Sequence, residues 1–234
     1  MVTTIHRANS RGHANYGWLN SYHTFSFANY QNPERMNFGA LRVLNDDTVA
    51  PGAGFGMHPH QNMEIISIPI SGVLTHKDST GSIGHIVRGD IQIMSAGTGI
   101  RHSEYNGSTT EDVQFLQIWV LPKKVDIVPQ YGELSYTLTK NEFNTLISPE
   151  KSKNTLWINQ DAYFSLADID TGTVIDYTLH KKGNLIYVFV IEGSIEIEGE
   201  QLNRRDAIGI QNIEKSSIKT FANAEVLIIE VPNR

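Results

Sequence analysis

The sequence predicts an all-β protein, and three observations support this. Short runs of β-branched and aromatic residues recur, each bounded by Gly, Pro, Asn or Asp; the clearest are 65–70, 113–121, 185–191 and 226–231. Residues 194–198 alternate apolar and charged side chains, which is typical of a half-buried strand. No long segment has the period of a helix. Many short strands separated by turn signals favour a sandwich or a barrel with few short helices.

The chain is expected to form two similar β-domains. Its 234 residues exceed the roughly 150 of one typical domain. Residues 67–77 and 187–199 share one pattern, in which a strand, a turn containing Gly, and a second strand follow one another. Each is followed by an acidic turn and another apolar strand. A loop rich in Pro and Gly, from Pro122 to Glu133, is the best boundary. We expect an N-terminal domain over 1–132 and a C-terminal domain over 133–234.

Composition excludes several classes of function. The formal net charge is −6 and no basic run exceeds two residues, which argues against nucleic acid as a direct partner. There are no cysteines, so disulfides and thiolate metal sites are ruled out. No stretch approaches the ~18 apolar residues that cross a bilayer, and the N-terminus lacks a signal-peptide pattern. The expected location is the cytoplasm, without membrane association.

Two pairs of residues predict a metal site. His58 and His60 are two residues apart, so on a strand both imidazoles point to one face. His102 and Glu104 are related in the same way. On neighbouring antiparallel strands the two pairs would converge, and three imidazoles with one carboxylate suit Fe, Ni, Cu, Zn, Mn or Co. Glu64 also has the parity of His60, so strand parity alone leaves it open as the carboxylate ligand.

The segments around these pairs resemble known motifs. Gly52, with His58, His60 and Glu64 at their spacing, resembles the first cupin motif. Residues 89–104 look like the second cupin motif in the form found in the pirin family. Further similarity to pirins is seen at 22–27, at 75–81 and, closest to bacterial pirin-like quercetin dioxygenases, at 94–106. The resemblance is strong over 10–122 and general over 135–234.

The resemblance implies a fold and a set of ligands. Both domains would be cupin barrels of jelly-roll type. In pirins the glutamate two residues after the last His is a ligand, so the resemblance selects Glu104 over Glu64. The metal site would comprise His58, His60, His102 and Glu104. The C-terminal domain would lack ligands, since His180 is its only histidine.

The resemblance also implies an activity. A flavonol such as quercetin would be cleaved with O₂ to a depside and carbon monoxide. Glu104 is the candidate base that removes the proton of the 3-hydroxyl. Iron is the expected divalent metal, with Ni, Co, Mn, Cu and Zn as alternatives.

Two other functions stay open. A non-catalytic, metal-binding redox sensor that acts through a protein partner is a role attributed to eukaryotic pirins. Metal-assisted isomerisation or hydrolysis is a third hypothesis, because cupin barrels host many reactions. An enzyme requires an apolar cavity beside the metal, whereas a sensor does not. For His76 and Asp78 a hairpin loop is favoured over a place in the site, and for His23, Phe25 and Phe27 core packing is favoured.

Overall fold

The computed structural model describes residues 1–234 and confirms the all-β prediction. Apart from one turn of 3-10 helix at Ala8–Ser10, the regular structure consists of 22 strands. No helix has the length and apolar character needed to span a membrane. The first twelve strands are β1 (Val2–His6), β2 (Gly12–Asn15), β3 (Leu19–His23), β4 (Leu41–Val49), β5 (Gly54–His60), β6 (Glu64–Ser71), β7 (Val73–Asp78), β8 (Ile83–Val87), β9 (Asp90–Ser95), β10 (Ile100–Asn106), β11 (Val113–Val120) and β12 (Gln130–Ser135). The other ten are β13 (Asn144–Ser148), β14 (Leu156–Trp157), β15 (Tyr163–Ile169), β16 (Val174–Thr178), β17 (Asn184–Glu192), β18 (Ser194–Ile197), β19 (Glu200–Asn203), β20 (Ala207–Gln211), β21 (Lys215–Thr220) and β22 (Ala224–Pro232).

Each half of the chain contributes one seven-stranded and one four-stranded sheet. In the N-terminal half the strand orders are β12-β9-β6-β11-β4-β3-β2 and β5-β10-β7-β8. In the C-terminal half, whose large sheet also includes the N-terminal strand β1, they are β1-β20-β17-β22-β15-β13-β14 and β16-β21-β18-β19. This pair of jelly rolls is the tandem cupin architecture that the sequence predicts. We call the two units the N-terminal barrel and the C-terminal barrel.

No single point in the sequence divides the strands of one barrel from those of the other. Strand β1 pairs with β20 of the C-terminal barrel over its whole length, from Val2 opposite Gln211 to His6 opposite Ala207. Strand β12 pairs with β9 of the N-terminal barrel and continues past residue 132 to Ser135. The N-terminal strand therefore ties the two barrels together. A domain boundary after residue 132 stays a prediction.

The largest apolar core lies between the two seven-stranded sheets. It contains 27 buried residues drawn from both halves, including Leu44 on β4, Ile66 on β6, Phe189 on β17 and Leu227 on β22. Each such side chain contributes roughly 1.5–3 kcal/mol when it leaves water. Because side chains alternate along a strand, the neighbours of Leu44 on β4 face the other way, into the N-terminal barrel. This alternation gives each large sheet a core face and an inner face.

A glycine closes the corresponding hairpin in each barrel. Gly72 joins β6 to β7 with φ 76°, and Gly193 joins β17 to β18 with φ 85°. A Cβ at Gly72 would lie 2.6 Å from the carbonyl oxygen of Asp112, and one at Gly193 would lie 2.1 Å from that of Asn223. Both backbones are left-handed and crowded, so only glycine fits. The repeated pattern seen in the sequence corresponds to this shared hairpin.

Candidate metal centre and its cavity

Strand β10 positions the candidate ligands because it lies in the middle of the small sheet. His102 lies opposite His58 on β5 and opposite Asp78 on β7. Glu104, two residues on, lies opposite His76. A register shift against β5 falls between His102 and Glu104, which is a β-bulge of the kind that re-aims side chains near active sites. The inner face of this small sheet therefore carries imidazoles and carboxylates beside aliphatic side chains such as Leu74 and Ile100.

Three imidazoles converge on the inner face. The ring centroids are 4.5 Å apart for His58 and His102, 4.7 Å for His58 and His60, and 4.9 Å for His60 and His102. One ring nitrogen from each lies within 4.8 Å of the others. The sequence-predicted histidines are thus brought together by the fold.

The nitrogens of this group fit a metal ion. Nδ1 of His58 lies 2.7 Å from the carbonyl oxygen of Gly56, which only accepts, so Nδ1 carries the proton and Nε2 keeps its lone pair. Nε2 of His60 and both ring nitrogens of His102 are buried without any hydrogen-bond partner. Buried polar atoms are normally paired, so unpaired nitrogens on two neighbouring rings indicate a missing group. The donor set suits a divalent transition metal.

The environment keeps these rings neutral. Burial, together with the neighbouring His102 and His58, lowers the pKa of His60 to about 4. Burial, together with His58 and His76, lowers the pKa of His102 to about 3. Neutral imidazole is the form that coordinates a metal, so no proton has to leave these two rings at neutral pH.

Glu104 is buried and held by the opposite sheet. Its Oε1 accepts hydrogen bonds from Ser67 Oγ and Gln92 Nε2, both at 2.9 Å, and its Oε2 accepts one from Gln117 Nε2 at 2.5 Å. Ser67 lies opposite Gln92 on one side and opposite Gln117 on the other, so the three donors form one cross-strand row. Glu104 forms a second possible donor group with His76 and His102, again within 4.8 Å. The two groups share His102.

The alternative carboxylate, Glu64, is placed elsewhere. It is fully buried on β6, and its Oε2 accepts from Ser95 Oγ at 2.6 Å and from the backbone N–H of Asn159 at 3.1 Å. Burial raises its pKa, against the effect of these two hydrogen bonds. Neither donor group contains Glu64.

The hairpin-loop interpretation of His76 and Asp78 is wrong. Both are buried on β7, and His76 Nε2 lies 3.1 Å from Asp78 Oδ2. The ring of Tyr131 stacks on that of His76 at 4.6 Å and 17°. Their spacing of two residues is the same parity signal that identified the other pairs, so the sequence held the information.

An aromatic-walled cavity of about 320 Å³ opens onto the three histidines. Trp18, Phe27, Phe55 and Trp119 form much of its wall. Its size falls in the range of small-molecule sites, roughly 300–1,000 Å³. The core-packing expectation holds for Phe25 alone, because His23 and Phe27 line the cavity. The polar lining outside the candidate ligands includes Ser21, His23, Asn45, Asp47 and Gln117.

Asp47 is the main polar residue that the sequence did not single out. It lies on β4, lines the cavity, and accepts a hydrogen bond from the hydroxyl of Ser21. Burial raises the pKa of Asp47 to about 7, although the Ser21 hydrogen bond opposes the shift. The run Asn45-Asp46-Asp47 places two carboxylates within a mostly buried strand, which is the one signal that marks Asp47.

The C-terminal barrel has no comparable group of donors. Its single histidine, His180, stacks on Tyr163 at 4.4 Å. The ring of His180 hydrogen-bonds Tyr177, and its backbone N–H donates to Glu230 at 2.8 Å. His180 is therefore a hydrogen-bonded residue without neighbouring metal donors, as expected for a C-terminal domain that lacks ligands.

Comparison with known proteins shows to which family the chain belongs. The Pirin family model matches residues 4–120, and the model of the quercetinase C-terminal cupin domain matches residues 145–231. The chain belongs to the pirin family. A quercetin 2,3-dioxygenase of Escherichia coli (strain K12) is 39% identical over 230 residues, which cover 97% of this chain and 98% of that protein. A pirin-like protein of Caulobacter vibrioides is 40% identical over 222 residues, or 94% of this chain and 95% of that one.

Solved structures agree with this membership. The bacterial pirin YhhW of Escherichia coli in complex with nickel(II) is 37% identical, covers 100% of both chains and superposes with a TM-score of 0.94. A quercetin 2,3-dioxygenase from Acinetobacter baumannii, 18% identical with a TM-score of 0.78 over 99% of this chain and 79% of that one, shares the fold.

Proposed function

We propose that this pirin is a metal-dependent dioxygenase that cleaves flavonols such as quercetin with O₂ to a depside and carbon monoxide. The observation that carries the proposal is the convergence of three imidazoles, each with a ring nitrogen that has no hydrogen-bond partner, at an aromatic-walled cavity. Curated relatives that match nearly the whole chain are named quercetin 2,3-dioxygenases, which supports the same reaction.

Four residues would hold the metal. His58, His60 and His102 each have a ring nitrogen free for coordination, and Glu104 would be the fourth ligand. A divalent ion bound there supplies Lewis acidity and the electron-transfer chemistry that reaction with O₂ requires. We propose iron as the native metal, with Ni, Co, Mn, Cu and Zn as alternatives; the relative solved with nickel supports a divalent ion of this group.

The cavity walls would bind and orient the substrate. Flat aromatic rings gain from stacked and edge-on contacts with Trp18, Phe55 and Trp119, and these walls also exclude water from the reacting face. Asn45 and Asp47 offer polar groups to the hydroxyls of a flavonol. Such a lining suits a ligand that is apolar on its faces and polar at its edges.

Glu104 would take the proton of the flavonol 3-hydroxyl. Its three hydrogen bonds hold the carboxylate in one orientation before substrate binds. Oε2 has only Gln117 as a partner, so this is the oxygen that is easier to free for the proton. Gln117 therefore sets the position of the base.

The cavity also bears on the regulatory alternative. A metal-bound sensor that acts through a protein partner needs no space for an aromatic molecule beside the metal. The cavity beside the histidines supports catalysis over that role.

The test is aerobic turnover of quercetin by protein reconstituted separately with each of the six metals, with analysis of the depside and carbon monoxide. Glu104→Gln should slow turnover by about 100-fold or more, in the range of a lost general base. Glu64→Gln is the matched control, because it neutralises a buried carboxyl outside both donor groups; it should keep the wild-type rate.

Two results would contradict the proposal. Turnover that is absent with every metal would favour the regulatory role. A Glu104→Gln variant that keeps both its metal and its full rate would remove Glu104 as the base.

A further inference from the structure

His102 differs from the other two histidines in having both ring nitrogens buried without a partner. When an imidazole binds a metal through one nitrogen, the other carries a proton. A buried N–H without an acceptor costs about 1–3 kcal/mol, so metal-binding histidines almost always donate this proton to a neighbour. The N–H of His102 therefore needs an acceptor within the protein.

His76 offers that acceptor. Its ring centroid lies 5.3 Å from that of His102, and its Nδ1 is also buried without a partner. The oxygens of Glu104, the other nearby acceptor, already receive hydrogen bonds from the row of Ser67, Gln92 and Gln117.

Asp78 fixes the proton of His76 on the far nitrogen. Oδ1 of Asp78 accepts from the backbone N–H of Thr80 at 2.8 Å, the hydroxyl of Thr80 at 2.6 Å and the N–H of Ser82 at 3.2 Å. Three donors on one oxygen form the surroundings of an ionised carboxylate. An ionised carboxylate only accepts, so the proton of His76 lies on Nε2, against Asp78 Oδ2, and Nδ1 keeps a lone pair.

We propose that His76 and Asp78 form an outer brace of the metal centre, in which His102 donates its N–H to His76 Nδ1 and His76 donates its own to Asp78. The proposal rests on the proposed metal site. His76 and Asp78 are positioning residues: they orient the ring of His102 and raise its basicity toward the metal. Tyr131, stacked on His76, holds the plane of the intermediate ring.

Asp78→Asn is the most informative variant because the hydrogen bonds around residue 78 determine how the new amide is oriented. The three donors at Oδ1 require the amide oxygen there, so the amide NH₂ replaces Oδ2 and points at His76. His76 must then accept a hydrogen bond at Nε2 and carry its own proton on Nδ1. The N–H of His102 would face a second donor there, so the hydrogen bond from His102 to His76 is lost. The change is isosteric and leaves the fold in place.

Two substitutions at His76 complete the set. His76→Phe removes the acceptor and keeps a ring for Tyr131 to stack on, whereas His76→Gln retains an acceptor oxygen. His85→Gln is the matched control, because His85 lies on the same hairpin with its ring exposed and bonded to Thr75.

The experiment measures nickel(II) affinity of the full chain by competition with a chromophoric chelator. We expect affinity to fall about 10–100-fold in Asp78→Asn and His76→Phe, the usual effect of losing an outer partner of a ligand. His76→Gln should fall less, and His85→Gln should match the wild type. In the zinc-loaded protein, the ring N–H signal of His102 should resist exchange with water in the wild type and disappear in Asp78→Asn and His76→Phe.

The outcomes separate the brace from the proposed reaction. Affinities within twofold of wild type for Asp78→Asn and His76→Phe, or an unchanged N–H signal, would overturn the brace. A wild-type chain that binds no nickel would overturn both the brace and the metal site. Loss of affinity and of the N–H signal in a protein without flavonol turnover would support the brace and count against the enzymatic function alone.

Discussion

The two barrels have a similar arrangement of strands but differ in the side chains that fill their interiors. His76 in the N-terminal barrel and Ile197 in the C-terminal barrel each lie four residues beyond the hairpin glycine of their sheet. Ile197 packs in a core of 16 buried residues, together with Ile195 and Ile218 on the inner face of its small sheet. The N-terminal barrel has two smaller apolar clusters, of six and four buried residues. Polar donors and a cavity occupy the remaining interior there.

Within one chain, the C-terminal barrel thus contributes mainly to stability and the N-terminal barrel holds the candidate functional site. A cavity and unpartnered buried nitrogens lower the stability of the N-terminal barrel, as functional sites commonly do. The C-terminal barrel is packed with aliphatic groups, and the 27-residue core joins the two large sheets. The packed barrel therefore supports the one that holds the donors.

The largest expected effect comes from removing the shared ligand. His102→Ala leaves two imidazoles, so metal affinity should fall by more than the ~100-fold that loss of an outer partner causes. Elemental analysis after dialysis measures the bound metal. His180→Ala, which changes the histidine of the C-terminal barrel, should bind as much metal as the wild type; equal loss in both variants would break the comparison.

The packed interior predicts the next largest effect. Ile197→Ala should destabilise the protein by about 2–5 kcal/mol, because it leaves a cavity in an aliphatic core. Val174→Ala, on an exposed site of the same sheet, should change the free energy of unfolding by less than about 0.5 kcal/mol. Urea unfolding of metal-free protein measures both. Similar small effects would mean that the C-terminal barrel is not the better packed one.

The polar interior predicts a pH dependence. Burial raises the pKa of Asp47 to about 7 from its ordinary 3.8, so between these values the folded state holds a proton that the unfolded chain has lost. Stability from this group is complete below pH 4 and is lost as the pH rises through 7. Asp47→Asn should remove that loss, so that its stability relative to the wild type rises by about 4 kcal/mol between pH 4 and pH 8.

Urea unfolding of the metal-free protein at several pH values measures this gain, because a bound cation would itself lower the pKa of Asp47. A difference between variant and wild type that does not change with pH would count against a neutral Asp47 in the cavity.

The shared hairpins predict the smallest difference between barrels. Gly72→Ala and Gly193→Ala should each cost about 1–3 kcal/mol, since both combine left-handed backbone with a close carbonyl oxygen. Gly172→Ala has a similar φ of 77° and no atom within 4 Å, so it should cost less. Thermal unfolding measures all three. If only one of the two hairpin variants loses stability, the two barrels do not depend on this hairpin to the same extent.

Much of the fold and of the candidate site could be predicted from local sequence patterns. Strand runs, turn glycines and the spacing of His58 with His60 and of His102 with Glu104 depend on neighbouring residues, which the sequence displays. The pairing of β1 with β20 depends on contacts about 200 residues apart, and no local pattern reports it. The cavity walls could not be predicted for the same reason, because Trp18, next to β3, and Trp119, on β11, line one cavity only after both strands enter one sheet.

The most direct test of the account is anomalous diffraction from crystals of the metal-loaded protein. We expect one anomalous peak per chain, between His58, His60 and His102 and within coordination distance of Glu104, and none in the C-terminal barrel. A peak at another place, or a centre that Glu104 does not reach, would contradict the proposed ligand set.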